Sequence, residues 1–310
     1  MRLFRGRQYA GVDIPGCVAT IGNFDGVHCG HQNIITQLKR CAESMSLPSL
    51  AIVFEPQPLE FFNPSEAPAR LMSFREKFEA LKSCELDAVY CLKFDENLSQ
   101  LSGQAFIDQV LVRRLNVRHL VVGDDFRFGG DREGDFSLLV RAGHGSGFSV
   151  ENTPTHLDEV SAVRISSTEI RQALAGGEFK RAARLLGRPY GITGRVQYGQ
   201  QLGRTIGFPT ANISLGRIKA PLNGVFAVSV IREDGRRQKG VANIGTKPTV
   251  GQFEPNLEIH LFDQSESFYG ERLAVEFIEK IREEKRFDGI DQLKRQIEQD
   301  SRIARSVLAD

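Results

Sequence analysis

The chain has 310 residues, 41% of them apolar and 25% charged, with a formal charge of +1. At ~100–200 residues per domain, this leaves room for two domains, each able to bury a core. The near-balanced charge offers no footprint for nucleic acid or an anionic membrane, so neither is expected as a partner. No run of about 18 apolar residues is present, so no membrane span is expected. The cysteines Cys17, Cys29, Cys41, Cys84 and Cys91 form no C-x-x-C pair, and their spacing fits no disulfide or zinc framework. A reducing cytoplasm is the expected setting. The opening MRLFRGRQYAG is basic but lacks an apolar segment, so no secretory leader is expected.

In chain order, Cys17–Ile21 is a short apolar run, and His31–Ser46 then carries a helical stripe of Ile34, Ile35, Leu38, Cys41, Ala42 and Met45. Leu50–Phe54 reads as a buried strand, followed by a loop punctuated by Pro56, Pro58, Pro64 and Pro68. Val89–Leu92, His119–Gly123 and Phe148–Glu151 read as further strands. Phe106, Ile107, Val110, Leu111 and Leu115 recur at helical spacing before the second of these. Strand–helix alternation predicts a mostly parallel sheet covered by helices. Two helical stretches, Ser167–Ala175 and Glu178–Leu186, end at Gly187-Arg188-Pro189. Beyond them the period becomes two. Val225–Ile231, Gly240–Ile244, Leu257–Phe262 and Arg272–Ile278 predict a small antiparallel barrel, and Ile290–Leu308 predicts a closing helix.

Ile21–His31, IGNFDGVHCGH, joins a strand to a long helix, the place where open α/β sheets bind ligands. Gly22, Gly26 and Gly30 allow close backbone approach, and the helix N-terminus suits phosphate. His28 and His31 sit at neighbouring positions there. They can donate hydrogen bonds to phosphate oxygens and, as cations, offset charge on a pentavalent phosphorus. A plain glycine-rich turn would explain either histidine alone but not the pair. Arg164–Arg171, RISSTEIR, adds Ser167, Thr168 and Arg171 as phosphate ligands. Ser166 and Glu169 also have the spacing of a helix-capping box.

These segments resemble the nucleotidyltransferase superfamily with the His-x-Gly-His signature. Within it they are most similar to the bacterial bifunctional riboflavin kinase/FMN adenylyltransferases. The resemblance implies a Rossmann-like α/β nucleotidyltransferase domain in which FMN phosphate attacks the α-phosphorus of ATP. His28, His31 and Arg171 would be catalytic. Gly22, Asn23, Phe24, Gly30, Ser167 and Thr168 would bind ATP. Val122–Gly129, VGDDFRFG, also matches the family and places Asp125 near the flavin. Where the family has Phe-x-Pro-His-Pro, this chain has Phe54-Glu55-Pro56-Gln57-Pro58, and Gln57 carries no charge.

Gly194–Asn212, GRVQYGQQLGRTIGFPTAN, is glycine-rich, which fits either a phosphate-covering loop or a run of barrel turns. Thr210 and Asn212 place a hydroxyl and a carboxamide two apart, hard oxygen donors that suit Mg²⁺ beside ATP phosphates. The stretch is similar to the riboflavin kinase module. The resemblance implies a phosphate loop through Gly199, Gly203, Arg204 and Gly207, Thr210 and Asn212 at the metal, and Glu258 as the base for the riboflavin 5′-hydroxyl. Glu283 stands where the family commonly has proline.

The expected protein is thus a cytoplasmic two-step enzyme that uses riboflavin, FMN, ATP and Mg²⁺. Residues 1–186 form the adenylyltransferase domain and 187–310 the kinase domain, in a monomer or weak homo-oligomer. The histidine loop alone also fits an adenylyltransferase with another acceptor, such as a nicotinamide or pantetheine phosphate. The barrel alone also fits a flavin- or nucleic-acid-binding module.

Overall fold

A computed structural model describes residues 1–6, 16–130, 132–198, 207–249, 252–264 and 268–309. The chain forms two compact units, one of residues 1–68 with 77–166, the other of residues 69–76 with 167–310.

The first unit carries a six-stranded sheet in the order β1-β4-β3-β2-β5-β6. Its strands are β1 (Arg2–Arg5), β2 (Cys17–Ile21), β3 (Ser49–Glu55), β4 (Ala88–Lys93), β5 (Val117–Gly123) and β6 (Ser149–Thr153). Every pairing is parallel. β2, β3 and β4 are almost wholly buried apolar runs, as strands covered on both faces must be. Leu50, Ile52, Tyr90 and Leu120 of the sheet share a core with Phe106, Ile107 and Val110 and with Leu139 of α6 (Phe136–Ser146), while α1 (Cys29–Met45), which buries Ile35, Leu38 and Ala42, lies against β2 and β5. From β2 the chain steps to β3 and β4 on one side and later to β5 and β6 on the other. The strand order therefore reverses beside the carboxyl end of β2, where a ligand crevice belongs.

Each strand expected from the apolar runs of this half is present. The interval before β5 departs from expectation. After α5 (Gly103–Phe106) it widens into a π-helical turn, Ile107–Val112, whose apolar stripe nevertheless stays buried. The proline-rich loop holds a short helix, α2 (Pro58–Phe62), begun by Pro58 at its first position, where a missing N–H costs nothing. α3 (Phe74–Ser83), α4 (Glu96–Ser99), α6 and the edge strand β1 were not expected.

The second unit is a closed barrel in the order β10-β11-β8-β7-β12-β9. The strands are β7 (Gly191–Gln197), β8 (Ala211–Ser214), β9 (Gly224–Ile231), β10 (Arg237–Thr249), β11 (Gln252–Leu261) and β12 (Arg272–Arg282), all paired antiparallel. Gly194 proves to be a packing residue of β7. A Cβ there would lie 2.2 Å from the Ile213 side chain, so glycine lets β7 and β8 close together. The helices α7 (Ser167–Ala175) and α8 (Phe179–Leu186) join this unit.

Ala304 of the closing helix α9 (Ile290–Val307) and its C-cap Leu308 are buried against Val225, Ala227, Val241 and Phe262, whereas Ile290 at the start of the helix is exposed. Arg282 grips Asp300 of α9 through its Nε and Nη2 at 2.7–3.0 Å. A second buried pair fixes residues 69–76. Arg217, with no exposed side chain, donates to Glu76 at 2.6 Å and to the carbonyls of Arg70 and Leu71. Glu76 also accepts the Thr193 amide at 2.7 Å.

Candidate active sites

The loop between β2 and α1 is built from strain and aromatic packing. Phe24 and Val27 both have positive φ, 47° and 42°, although neither is glycine. For a β-branched valine this is a real outlier, of the kind that collects at functional sites. Both side chains are buried, and the Gln32 amide donates to the Val27 carbonyl at 2.9 Å, which holds the turn. Gly26, at φ 88°, occupies backbone that glycine adopts without penalty. Gly22 and Gly30 make room inward. A Cβ on Gly22 would meet the Phe24 ring at 3.2 Å, and one on Gly30 the His28 ring at 3.2 Å.

His28 is the N-cap of α1, and its Nδ1 accepts the His31 amide at 3.3 Å. The cap folds the two imidazoles together, centroids 3.6 Å apart and planes within 18°, with Phe24 5.0 Å from His31. His28 is buried. His31 is partly exposed, but its Nδ1 is sealed from solvent and makes no hydrogen bond. Burial, then the charges of His28 and Lys77, hold His31 well below its ordinary 6.5. At pH 7 it is therefore a neutral donor rather than the cation expected from the sequence. Lys77, fully buried on α3, is the group that sequence reasoning missed. Its signal was present, because it lies on the apolar stripe Phe74–Phe78–Leu81, where an ordinary lysine does not belong.

Asn23, within this loop, is exposed. Gln57 follows β3 at the same edge of the sheet, is buried, and leaves its side-chain N–H group without a partner. Asp125, just past β5, is exposed and pairs with Arg164 at 2.5 Å. Asp25 is buried. Ser167 and Thr168 open α7 in the second unit. Arg171, one turn on, donates to the Ala69 carbonyl at 3.4 Å. Glu169 pairs with Arg181 of α8 at 2.6 Å, which ties the two helices together.

In the barrel, Leu257, Ile259 and Leu261 are buried while Glu258 and His260 alternate outward, as expected. Glu258 stands directly opposite Asn212 of β8 and Asn243 of β10. Register therefore gathers a carboxylate and two carboxamides on one face. Asn212 is half-buried, and its Oδ1 accepts from Asn256 at 3.2 Å. β8 begins at Ala211, so Thr210 lies just outside it. The Pro209 carbonyl sits 3.0 Å from His260 Nδ1, and Phe208 packs edge-on against that ring, which anchors the approach to β8. Gly207, at φ 87°, opens into free space. Gly199, Gly203 and Arg204 lie outside the described residues.

The fold and these sites define a nucleotidyltransferase-type α/β unit followed by a barrel of the riboflavin kinase type. The family model for FAD synthetase matches residues 12–169 and that for riboflavin kinase residues 186–308. The chain belongs to the bifunctional riboflavin kinase/FMN adenylyltransferase family, with the FAD synthetase domain N-terminal and the riboflavin kinase domain C-terminal. It is 48% identical to the bifunctional riboflavin kinase/FMN adenylyltransferase of Escherichia coli K12 over 98% of this chain and 97% of that one. It is 49% identical to that of Pseudomonas fluorescens over 100% and 98%. Among solved structures it is similar to a macrolide-efflux protein from Streptococcus pneumoniae, 29% identical, with TM-score 0.77 over 98% and 99% of the two chains. Among the described residues, no helix is long and apolar enough to cross a membrane.

Proposed function

We propose that the chain carries out two ATP-dependent steps in sequence. Riboflavin is phosphorylated to FMN on the barrel, and FMN is adenylylated to FAD, with release of pyrophosphate, at the histidine loop. The observation that carries this reading is the stacked His28–His31 pair at the N-terminus of α1, beside the point where strand order reverses. The functional boundary falls at 186/187.

In the adenylyl transfer, a phosphate oxygen of FMN attacks the α-phosphorus of ATP, and the bond to the bridging oxygen of pyrophosphate breaks. No covalent enzyme intermediate is required. His28 and His31 donate hydrogen bonds to the oxygens on which charge accumulates. Lys77 adds buried positive charge behind His31, which an arriving triphosphate offsets. The backbone around Gly22, Asn23, Phe24 and Gly30 receives ATP, while Ser167, Thr168 and Arg171 hold its phosphates. The unpaired N–H group of Gln57 is a neutral donor at the same sheet edge. Asp125 borders the flavin.

In the kinase step, Glu258 takes the proton of the riboflavin 5′-hydroxyl as that oxygen attacks the γ-phosphorus and ADP leaves. The hard oxygens of Thr210 and Asn212 fit Mg²⁺, which when bound neutralises phosphate charge. Gly199, Gly203, Arg204 and Gly207 form the phosphate loop. The setting is the cytoplasm, and the protein acts as a monomer or weak homo-oligomer.

Purified protein given riboflavin, ATP and Mg²⁺ should form FMN first and FAD second, followed by chromatography with flavin fluorescence. Formation of neither product overturns the reading.

A further inference from the structure

Toward the C-terminal end of α1, away from the stacked histidines at its cap, three metal-ligand atoms converge that play no part in the two reactions. Cys41 comes from α1, His119 from β5 and Glu151 from β6, and their Sγ, imidazole nitrogen and carboxylate oxygen lie within 4.8 Å of one another. Glu151 Oε2 stands 3.5 Å from both Cys41 Sγ and His119 Nε2. At 3.5 Å the nitrogen–oxygen contact is too long for a good hydrogen bond. The spacing suits a shared ion. Tetrahedral bonds of about 2.3 Å to sulfur and about 2.0–2.2 Å to nitrogen and oxygen put neighbouring ligand atoms roughly 3.4–3.6 Å apart.

His119 is set up as a ligand. Its Nδ1 lies 2.7 Å from the Ser149 hydroxyl. With the Nδ1 proton donated to that oxygen, the Nε2 lone pair faces the cluster, the arrangement that orients most metal-bound histidines. Nε2 is sealed from solvent and makes no hydrogen bond. Glu151 is half-exposed, which gives an ion a route in and leaves a fourth position for water.

We propose that Cys41, His119 and Glu151 form a three-ligand site for a thiophilic divalent cation, for which Zn²⁺ is the best chemical match. Binding converts the Cys41 thiol to thiolate and releases its proton to solvent. The bound ion ties α1 to β5 and β6.

The test uses the full-length protein, stripped with a chelator and titrated with Co²⁺. A thiolate-to-cobalt charge-transfer band should grow to one equivalent and be displaced by Zn²⁺. Cys41→Ser should remove the band, whereas Cys29→Ser and Cys84→Ser should keep it. Ser149→Ala should weaken binding by about 10–100-fold, because the histidine loses its orienting partner. His119→Gln should likewise weaken binding, because the nitrogen ligand is lost, and circular dichroism establishes that each variant is folded. Absence of the band, or its persistence in folded Cys41→Ser, overturns the proposal.

Discussion

The two reaction sites are assembled in opposite ways. The histidine loop is local, with its stacked rings, strained turn and helix cap all drawn from residues 22–32. The barrel site is assembled by register, because Asn212, Asn243 and Glu258 meet only when three strands pair correctly. A local site tolerates loss of neighbouring packing but suffers from any change in its own backbone. A register-built site is lost when a strand slips by one residue, because every side chain then turns to the other face.

Side-chain deletion gives the largest separation between them. His28→Ala should lower FAD formation from supplied FMN by about 10²–10³-fold, the usual cost of a lost transition-state donor. FMN formation from riboflavin should be unchanged. Glu258→Ala should lower FMN formation by about 10²–10⁴-fold, with FAD formation from FMN intact. Steady-state rates with each flavin check both.

Next in size is Arg217→Ala. It leaves Glu76 buried without its cation, which typically costs about 3–5 kcal/mol. Denaturant unfolding should show that loss in the barrel-containing unit. A result within the range of a surface substitution would mean that the pair does not anchor residues 69–76. Gly26→Ala forces a left-handed backbone onto alanine, at about 1–2 kcal/mol. Its effect should fall on FAD formation and spare the kinase, which distinguishes local strain from a general loss of fold.

The smallest effect concerns pH. Folding holds His31 below its ordinary 6.5, so the folded state prefers the neutral ring. That preference contributes stability above pH 6.5, and the contribution is lost as pH falls through the lowered folded value. The melting temperature should therefore fall more steeply below pH 6.5 in the wild type than in His31→Gln. Parallel curves would contradict the assignment.

Much of this was legible in the sequence, for physical reasons that differ by element. β2, β3 and β4 were readable because strands buried on both faces are nearly unbroken apolar runs, and β5 through its apolar end Leu120–Val122, whereas β6, SVENT, is a largely exposed edge strand. Glu258 was placed outward by period-two alternation, since Leu257, Ile259 and Leu261 had to face the core. β1 escaped notice because RLFR, an edge strand of four residues, carries too little apolar signal. β7 hid behind Gly194, whose purpose is close packing against Ile213 rather than loop motion. The charge state of His31 was illegible, because burial and Lys77 act through space from α3. The cluster of Cys41, His119 and Glu151 was invisible for the same reason. Its members lie 78 and 32 residues apart in the chain, and only the parallel pairing of β5 with β6 beside α1 brings them together.

The central claim is that two independent sites on one chain act in sequence through free FMN. The most direct test supplies riboflavin and ATP with Mg²⁺ to His28→Ala alone, to Glu258→Ala alone, and to the two mixed. His28→Ala should accumulate FMN, Glu258→Ala should leave riboflavin unconsumed, and the mixture should produce FAD. If His28→Ala, still folded, fails to make FMN, or if the mixture makes no FAD, the assignment of one reaction to each site is wrong.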